Sequence, residues 1–180
     1  MSEIRLRNWD KHEEKRFLSH FPPRIIMEIK KYNFPSQLDK MVGGAYYHGV
    51  VGCGKTLLAC RTALEIKRRK YIEGERMSFL FINSTELIEK IKATFSTNTT
   101  QMLIDKFKQV DYLILDDIGV MNISDWSYSV FYSILDYRYN NLLTTVFTSN
   151  LSIDELSSMM KDDRIPRRIT AMCQIINLMR

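Results

Sequence analysis

A glycine-rich octapeptide, Gly49-Val50-Val51-Gly52-Cys53-Gly54-Lys55-Thr56, has the spacing G-x-x-x-x-G-K-[ST] of a phosphate-binding loop. Such glycines let backbone N–H groups turn towards phosphates, and the helix that begins behind them adds a partial positive charge. Lys55 is expected to reach the β- and γ-phosphates, and the Thr56 hydroxyl is expected to bind Mg²⁺. We therefore predict a nucleoside triphosphate site formed by Gly49, Val50, Val51, Gly52, Cys53, Gly54, Lys55, Thr56 and Leu57.

Two adjacent carboxylates, Asp116 and Asp117, follow an apolar run at 112–115 that is typical of a strand. Ligands of open α/β folds bind at the carboxyl ends of the strands, which is where these side chains would lie. Asp116 is the expected Mg²⁺ partner, through the water shell that this ion retains. Asp117 is the candidate base that orients and deprotonates the attacking water. Alone, such a strand end is more often merely solvated, but the upstream loop favours the site.

The elements that must position these residues alternate between short β-rich runs and longer helical ones, a pattern typical of a parallel sheet covered by helices. Strands are predicted at 45–48, 77–82, 112–115, 144–148 and 174–178. Helices are predicted at 55–70, 84–96, 125–140 and 153–160, with another at 101–109. Ser84 and Asp125 are the predicted N-caps of two of them. The sequence thus predicts an α/β domain with a five-stranded parallel sheet.

The composition indicates one soluble domain, since the chain has 180 residues of which 45% are hydrophobic. No apolar run approaches the roughly 20 residues of a membrane span, and the N-terminus is charged, so we expect no membrane contact and a cytoplasmic location. Cys53, Cys60 and Cys173 have no disulfide or zinc spacing and are expected to be reduced. The net charge of +5 fits binding to polyanions and solubility equally well.

Three further stretches make the chain similar to the AAA+ ATPases of the DnaC/DnaI helicase-loader and IstB group, over residues 44–178. They are Leu115-Asp116-Asp117-Ile118-Gly119, Val130-Phe131-Tyr132-Ser133-Ile134-Leu135-Asp136-Tyr137-Arg138-Tyr139 and Thr148-Ser149-Asn150-Leu151. The resemblance implies a P-loop NTPase fold of AAA+ type, a three-layer sandwich without a C-terminal lid domain. It also implies that the nucleotide is ATP. We expect residues 1–43 to be a short N-terminal appendage and residues 44–180 to be the AAA+ domain.

The resemblance also assigns roles to three more residues. Asn150 would be the polar sensor that contacts the γ-phosphate or the attacking water, although an Asn at a strand end is also a common turn cap. Arg164 or Arg168 would enter the ATP site of a neighbouring subunit as an arginine finger. Pro166 and Arg167 depart from the family pattern there, and a basic helix start in solvent is the alternative. Many related ATPases have glutamate where this chain has Asp117, which suggests slow, assembly-dependent hydrolysis.

The partners implied by the resemblance are a replicative helicase, single-stranded DNA and further copies of the chain, assembled in the presence of ATP. The DNA would contact the region 84–108, where the basic residues are Lys90, Lys92, Lys106 and Lys108. A solvated helix face explains these lysines equally well. The amphipathic run 24–32 either docks a partner or covers the ATPase core with Ile25, Ile26 and Ile29, and the sequence favours neither interpretation.

Three functions remain open from the sequence. The first is a helicase-loader-like ATPase in DNA replication, which assembles on a replicative helicase, on single-stranded DNA or on both. The second is an IstB-like transposition helper that binds duplex DNA. The third is a nucleotide switch that binds ATP without hydrolysing it. The preferred DNA form separates the first two, and a hydrolysis assay separates both from the third.

Overall fold

The computed structural model describes residues 9–31, 43–119, 124–160 and 162–178. Five parallel strands form one sheet in the order β2-β3-β4-β1-β5. This confirms the predicted α/β fold, and each strand end lies within two residues of its predicted position. The strands are β1 Gly44–His48, β2 Phe79–Asn83, β3 Tyr112–Asp116, β4 Thr144–Ser149 and β5 Cys173–Asn177.

Eight α-helices and one short 3₁₀ turn at Phe95–Thr97 surround the sheet in the described ranges. None of these helices is long and apolar enough to cross a membrane. The helices are α1 Lys11–Leu18, α2 Pro23–Lys31, α3 Lys55–Ile72, α4 Ser84–Ala93, α5 Thr100–Gln109, α6 Asp125–Asn140, α7 Ile153–Met160 and α8 Arg164–Met172.

Two predicted N-caps are wrong by one residue. The α4 cap is Asn83, whose side-chain oxygen accepts a hydrogen bond from the Thr85 N–H at 2.9 Å. The α6 cap is Ser124, which forms a reciprocal capping box with Ser127. In both cases the capping oxygen must precede the first helical residue so that it can reach N–H groups of the first turn.

The side chains of the strands alternate between the two faces of the sheet and form two apolar cores. Ala45 and Tyr47 pack with α1, α2 and α3 on one face, whereas Tyr46 packs with α4 to α8 on the other. The same alternation places Ile114 on the α3 side and Leu115 on the opposite side. The sheet and the helices on its two faces form the predicted three-layer sandwich. The carboxyl ends of the parallel strands lie together at one edge of the sheet.

The helices α1 and α2 pack directly on the α3 face. The ring of Phe17 lies 4.8 Å and that of Phe21 lies 5.4 Å from the ring of Phe79. Ile25 and Ile29 are buried in the same core. Of the two interpretations of this amphipathic run, these contacts correspond to the one in which it covers the ATPase core. The domain boundary near residue 43 stays a prediction.

A fully buried arginine, Arg138 of α6, joins the end of α5 to the start of β4. Its guanidinium donates to the carbonyls of Phe107 at 3.0 Å, Val110 at 2.7 Å and Thr144 at 2.7 Å, and to Thr145 Oγ1 at 2.8 Å. Burial lowers the pKa of Arg138 to about 10, so the group stays charged at neutral pH. The charge lies against the carbonyl end of α5, where the helix dipole favours a cation.

Candidate active site

The glycine-rich loop connects β1 to α3, and its shape requires glycine at two positions. Gly49 has φ of 146°, and a Cβ there would lie 2.5 Å from the carbonyl oxygen of Leu178. Gly54, the N-terminal cap of α3, has φ of 95°, in the left-handed region that favours glycine. These conformations turn the loop across the N-terminus of α3, where the first N–H groups have no acceptor within the helix.

Lys55 lies at the centre of this loop with 8% of its surface exposed. Its ammonium group donates to the carbonyl oxygens of Gly49 at 2.8 Å and Val50 at 2.9 Å. These bonds hold the cation inside the loop, where phosphate oxygens can replace the two carbonyls as acceptors. The position therefore suits a lysine that binds a polyphosphate.

Hydroxyl groups from two other elements converge on Asp116 at the end of β3. Thr56 Oγ1 donates to Asp116 Oδ1 at 2.8 Å, and Thr148 Oγ1 of β4 donates to the same oxygen at 2.7 Å. Burial raises the pKa of the Asp116 carboxyl above its usual value, and the two hydroxyls act in the opposite direction. This carboxylate links the phosphate loop to the two central strands.

The chemistry of this group fits a magnesium ion. A hydroxyl and a carboxylate oxygen lie 2.8 Å apart at Thr56 and Asp116, and Mg²⁺ prefers such oxygen ligands while it retains part of its water shell. A partly buried carboxylate has lost hydration, so a cation beside it would stabilise its ionised form. The same two residues were the predicted metal ligands.

Hydrogen bonds hold the backbone of Asp117 at both its N–H and its carbonyl group. Its φ of 58° lies in the left-handed region, which Asp tolerates better than most residues. Its N–H donates to Thr148 Oγ1 at 2.8 Å, and its carbonyl accepts from Ser84 Oγ at 2.9 Å. Thr148 thus contacts both acidic residues, since its single hydroxyl donates to the Asp116 carboxylate and accepts from the Asp117 backbone N–H.

Asn150 follows β4 at the same edge of the sheet and is exposed. The residues on either side of it are fixed, because Ser149 Oγ donates to the Ile118 carbonyl at 2.6 Å and accepts from the Leu151 N–H at 3.0 Å. The strand β4 lies between β1 and β3. This order brings Asn150 to the same sheet edge as Asp117.

A cavity of about 870 Å³ opens beside the loop. Asp117, Asn150, Arg164 and Arg168 are not among the described residues that line it. Its lining comprises Gly52, Cys53, Gly54, Lys55, Thr56, Leu57, Leu58, Asp116 and Leu178, together with Pro22, Arg24, Ile25, Glu28 and Lys31 from the α2 region.

Arg164 lies at the start of α8, on the sheet face opposite α3. Its guanidinium donates to the carboxylate of Asp162 at 2.7 to 3.2 Å. The same group lies 5.3 Å from the ring centre of Tyr128 and 5.1 Å from that of Tyr132. In the single chain this arginine is therefore engaged with α6 and not with the nucleotide cavity.

Arg168 lies one turn further along α8 and is held in a similar way. It donates to Asp136 Oδ1 at 2.8 to 2.9 Å, and its guanidinium lies 4.6 Å from the ring centre of Tyr139. The pair raises the pKa of Arg168. Arg167, between the two predicted candidates, is 77% exposed and pairs with Asp163 one turn earlier.

The sequence-based prediction missed Thr148, Ser84 and the contribution of α2 to the cavity. The available signal for Thr148 was its place near the end of an apolar strand, two residues before Asn150, the predicted sensor. No comparable signal marked Ser84, which was interpreted as an N-cap. The α2 contribution depends on tertiary packing that no local pattern contains.

A parallel sheet in this strand order, with a phosphate loop after β1 and a carboxylate at the end of β3, defines a P-loop nucleotide-binding domain of AAA+ type. Within that class, the chain belongs to the family of IstB-like ATP binding proteins, whose family model matches residues 4–178. The resemblance to the DnaC/DnaI and IstB group is thereby confirmed.

Individual relatives come from both branches of this group. The replicative helicase loader DnaI of Bacillus subtilis (strain 168) is 30% identical over 114 residues, which cover 63% of this chain and 35% of that protein. A protein of insertion sequence IS232 from Bacillus thuringiensis subsp. berliner is 26% identical over 161 residues, which cover 87% of this chain and 60% of the relative. The crystal structure of DnaI aligns with a TM-score of 0.65 and 25% identity over 97% of this chain and 88% of that one.

Proposed function

We propose that this protein is a helicase-loader-like AAA+ ATPase of DNA replication, which assembles in the presence of ATP on a replicative helicase, on single-stranded DNA or on both. The observation that carries the proposal is the pair of hydrogen bonds from Thr56 and Thr148 to Asp116. These bonds join the phosphate loop to β3, which ends at Asp116, and to β4, which ends just before Asn150. The relative named as a replicative helicase loader supports the choice of process.

Each residue of the site has a definite task in this proposal. Lys55 exchanges its two loop carbonyls for β- and γ-phosphate oxygens. Thr56 and Asp116 would hold Mg²⁺, which would supply positive charge to neutralise the phosphates. Asp117 orients the attacking water and accepts its proton. Asn150, at the same sheet edge, donates to the γ-phosphate or to the water.

Completion of the site by a second copy requires an arginine to change partners. Arg168 would have to leave Asp136, and Arg164 would have to leave Asp162. Both pairs are partly exposed, and exposed ion pairs contribute little to stability. A neighbouring triphosphate offers more negative charge than one carboxylate, so the exchange is favourable on assembly.

The surface proposed for single-stranded DNA combines aromatic and basic side chains. Phe95 is 53% exposed, and its ring packs edge-to-face against Trp126 with 4.9 Å between ring centres. The Lys92 ammonium lies 5.9 Å from the centre of the Trp126 ring. Exposed aromatic rings beside lysines are the combination on which unpaired bases stack without sequence preference.

The DNA part of the proposal is tested with Phe95→Ala. Base stacking on an aromatic side chain contributes about 1–3 kcal/mol, so affinity for single-stranded oligonucleotides should fall about 5- to 150-fold. Fluorescence anisotropy at two salt concentrations measures this loss. Met102→Ala, which removes another exposed apolar side chain, serves as the matched control. Equal single-strand affinity of Phe95→Ala and the control would contradict the assignment of this surface.

The ATPase and partner parts are tested together with Asp117→Asn. Asn tolerates the left-handed conformation of this position, so the backbone bonds to Thr148 and Ser84 are retained. We expect the variant to bind ATP, to hydrolyse it at least about 100-fold more slowly, in line with loss of a general base, and to retain a helicase in pull-downs with ATP. Turnover at the wild-type rate would refute Asp117 as the base.

An IstB-like role in transposition is the second candidate, because the IS232 relative matches 87% of the chain. In that case ATP-dependent binding to duplex DNA should exceed binding to single strands of the same length. The third candidate, a switch without hydrolysis, follows if wild-type protein with DNA and ATP releases no phosphate above the level of Lys55→Ala.

A further inference from the structure

The turn at residues 149–152, between β4 and α7, is fixed on both sides of Asn150. Before Asn150, Ser149 Oγ accepts a hydrogen bond from the Leu151 N–H at 3.0 Å. After Asn150, the Leu151 carbonyl accepts a hydrogen bond from Tyr46 Oη at 2.7 Å. The first bond ties the turn to its own strand, and the second ties it to β1, 105 positions earlier in the chain. Asn150 therefore lies between two residues that are held in place.

The side chain of Asn150, in contrast, makes no hydrogen bond within the described part of the chain. The start of α7 is closed by another pair, since the Ser152 N–H donates to Glu155 Oε2 at 2.7 Å and the Glu155 N–H donates to Ser152 Oγ at 3.3 Å. A side-chain amide offers two donor hydrogens and one acceptor oxygen. In a turn with a fixed backbone, these groups are held ready for a ligand at this edge of the sheet.

Tyr46 reaches this turn from the core of the protein. It is fully buried on the sheet face that α4 to α8 cover, and it lies beside Phe147 in the parallel register of β1 and β4. Its ring centre lies 6.4 Å from that of Phe147 and 5.8 Å from that of His48. Burial raises the pKa of Tyr46 to about 12, so the hydroxyl stays protonated and able to donate at neutral pH. The strand β1 thus holds the turn through one buried donor.

We propose that Tyr46 is a positioning residue for ATP hydrolysis, whose hydroxyl holds the Asn150 turn in place relative to the phosphate loop. The proposal rests on the proposed ATPase function and on the sensor role of Asn150 within it. The strand β1 ends at His48, and Gly49 of the loop follows directly. The same strand therefore leads into the loop and anchors the turn, so one rigid element sets their spacing. Because Tyr46 is fully buried, it acts through Asn150 and not by contact with the nucleotide.

The first test is Tyr46→Phe, which removes the hydroxyl and keeps the packed ring. The turn then keeps its bond to Ser149 and loses its bond to β1. Loss of one such hydrogen bond should lower kcat about 3- to 10-fold, because the Asn150 amide is less often in its productive position. The affinity for Mg²⁺–ATPγS should change by less than about twofold, since Lys55 and Thr56 are untouched. Steady-state phosphate release and calorimetry measure the two quantities.

Tyr47→Phe is the matched control, because it makes the same chemical change one residue further along β1. Tyr47 is also fully buried, but it lies on the α3 face of the sheet, with its hydroxyl 3.4 Å from Thr62 Oγ1. We expect this variant to keep kcat within about twofold of the wild-type value. Melting temperatures of both variants measure any general loss of stability. If kcat of Tyr46→Phe is no lower than that of Tyr47→Phe, the positioning role is overturned.

The second test combines Tyr46→Phe with Asn150→Ala. Asn150→Ala alone should lower kcat at least about tenfold, in line with loss of a donor to the reacting groups. Addition of Tyr46→Phe should then cause no further decrease, because a residue that acts through Asn150 has no amide left to position. A further decrease of about 3- to 10-fold would overturn the proposal. Turnover of Asn150→Ala at the wild-type rate would instead refute the sensor role of Asn150 in the proposed function.

Discussion

Replacement of Arg138 by methionine tests whether one buried guanidinium holds three elements together. Methionine keeps much of the length and volume of the side chain, so the change removes donors and charge and leaves only a small cavity. The carbonyls of Phe107, Val110 and Thr144 then lose a donor in a region from which water is largely excluded.

The expected cost can be worked out from these contacts. The bonds to Phe107 and Val110 are buried, and each buried acceptor left without a donor costs about 1–3 kcal/mol, or about 2–6 kcal/mol for both. Part of this free-energy cost is offset by removal of the buried charge, because the guanidinium no longer has to be desolvated. We expect a net loss of about 3 kcal/mol, against a typical total of about 5–15 kcal/mol. For a chain of this length that corresponds to a melting temperature lower by about 6–12 °C.

Urea unfolding followed by circular dichroism measures the free energy directly. Arg68→Met, on the exposed side of α3, is the control for loss of an arginine and should change stability by less than about 0.5 kcal/mol. Arg138→Lys retains the charge but cannot span the same acceptors, so it should fall between the two. A loss below about 1 kcal/mol for Arg138→Met would show instead that the carbonyls are satisfied in other ways.

Two further perturbations address the site. Asp116→Asn should raise the melting temperature of the nucleotide-free protein at neutral pH. The raised pKa of Asp116 means that the folded state holds this proton more tightly than the unfolded state, so its contribution to stability falls as the pH rises from about 4. Thermal melts of both proteins measure this effect. If their difference in melting temperature does not increase from about pH 4 to neutral pH, the raised pKa of Asp116 is contradicted. Thr148→Val, which keeps the shape but removes the hydroxyl, should lower the steady-state hydrolysis rate about 10- to 100-fold, whereas Thr148→Ser should retain it. Equal rates in the two variants would show that hydrolysis does not depend on the bonds of this hydroxyl to the Asp116 carboxylate and the Asp117 backbone.

The sequence predicted the elements that are determined by local patterns. Lys55 and Thr56 follow the glycines at fixed spacing, and the helix behind them needs no distant partner to be recognised. Asp116 could be predicted because it ends an apolar strand, and strand ends of a parallel sheet meet at one edge. These features depend on periods of two and about 3.6 residues, which a single sequence displays.

The contacts that organise the site, in contrast, join residues that are far apart in the sequence. Thr148 lies 32 positions from Asp116 and Arg138 lies 31 from Phe107, so their partners are set by strand order and helix packing. A threonine in a strand and an arginine in a helix are ordinary residues at those positions, and the neighbouring sequence does not identify the partners of their side chains. Only the tertiary structure shows that one hydroxyl bonds to the Asp116 carboxylate and to the Asp117 backbone N–H.

The helix α2 illustrates a subtler limit. Its isoleucines suggested two exclusive roles, a docking surface or a cover for the core, because an amphipathic helix is usually assigned one apolar and one polar face. The structure divides it into three stripes, with Ile25 and Ile29 in the core, Arg24 and Glu28 at the nucleotide cavity, and Ile26 facing α1. Packing in the core and lining of the cavity therefore do not compete, since burial of Ile25 and Ile29 turns Arg24 and Glu28 towards the cavity.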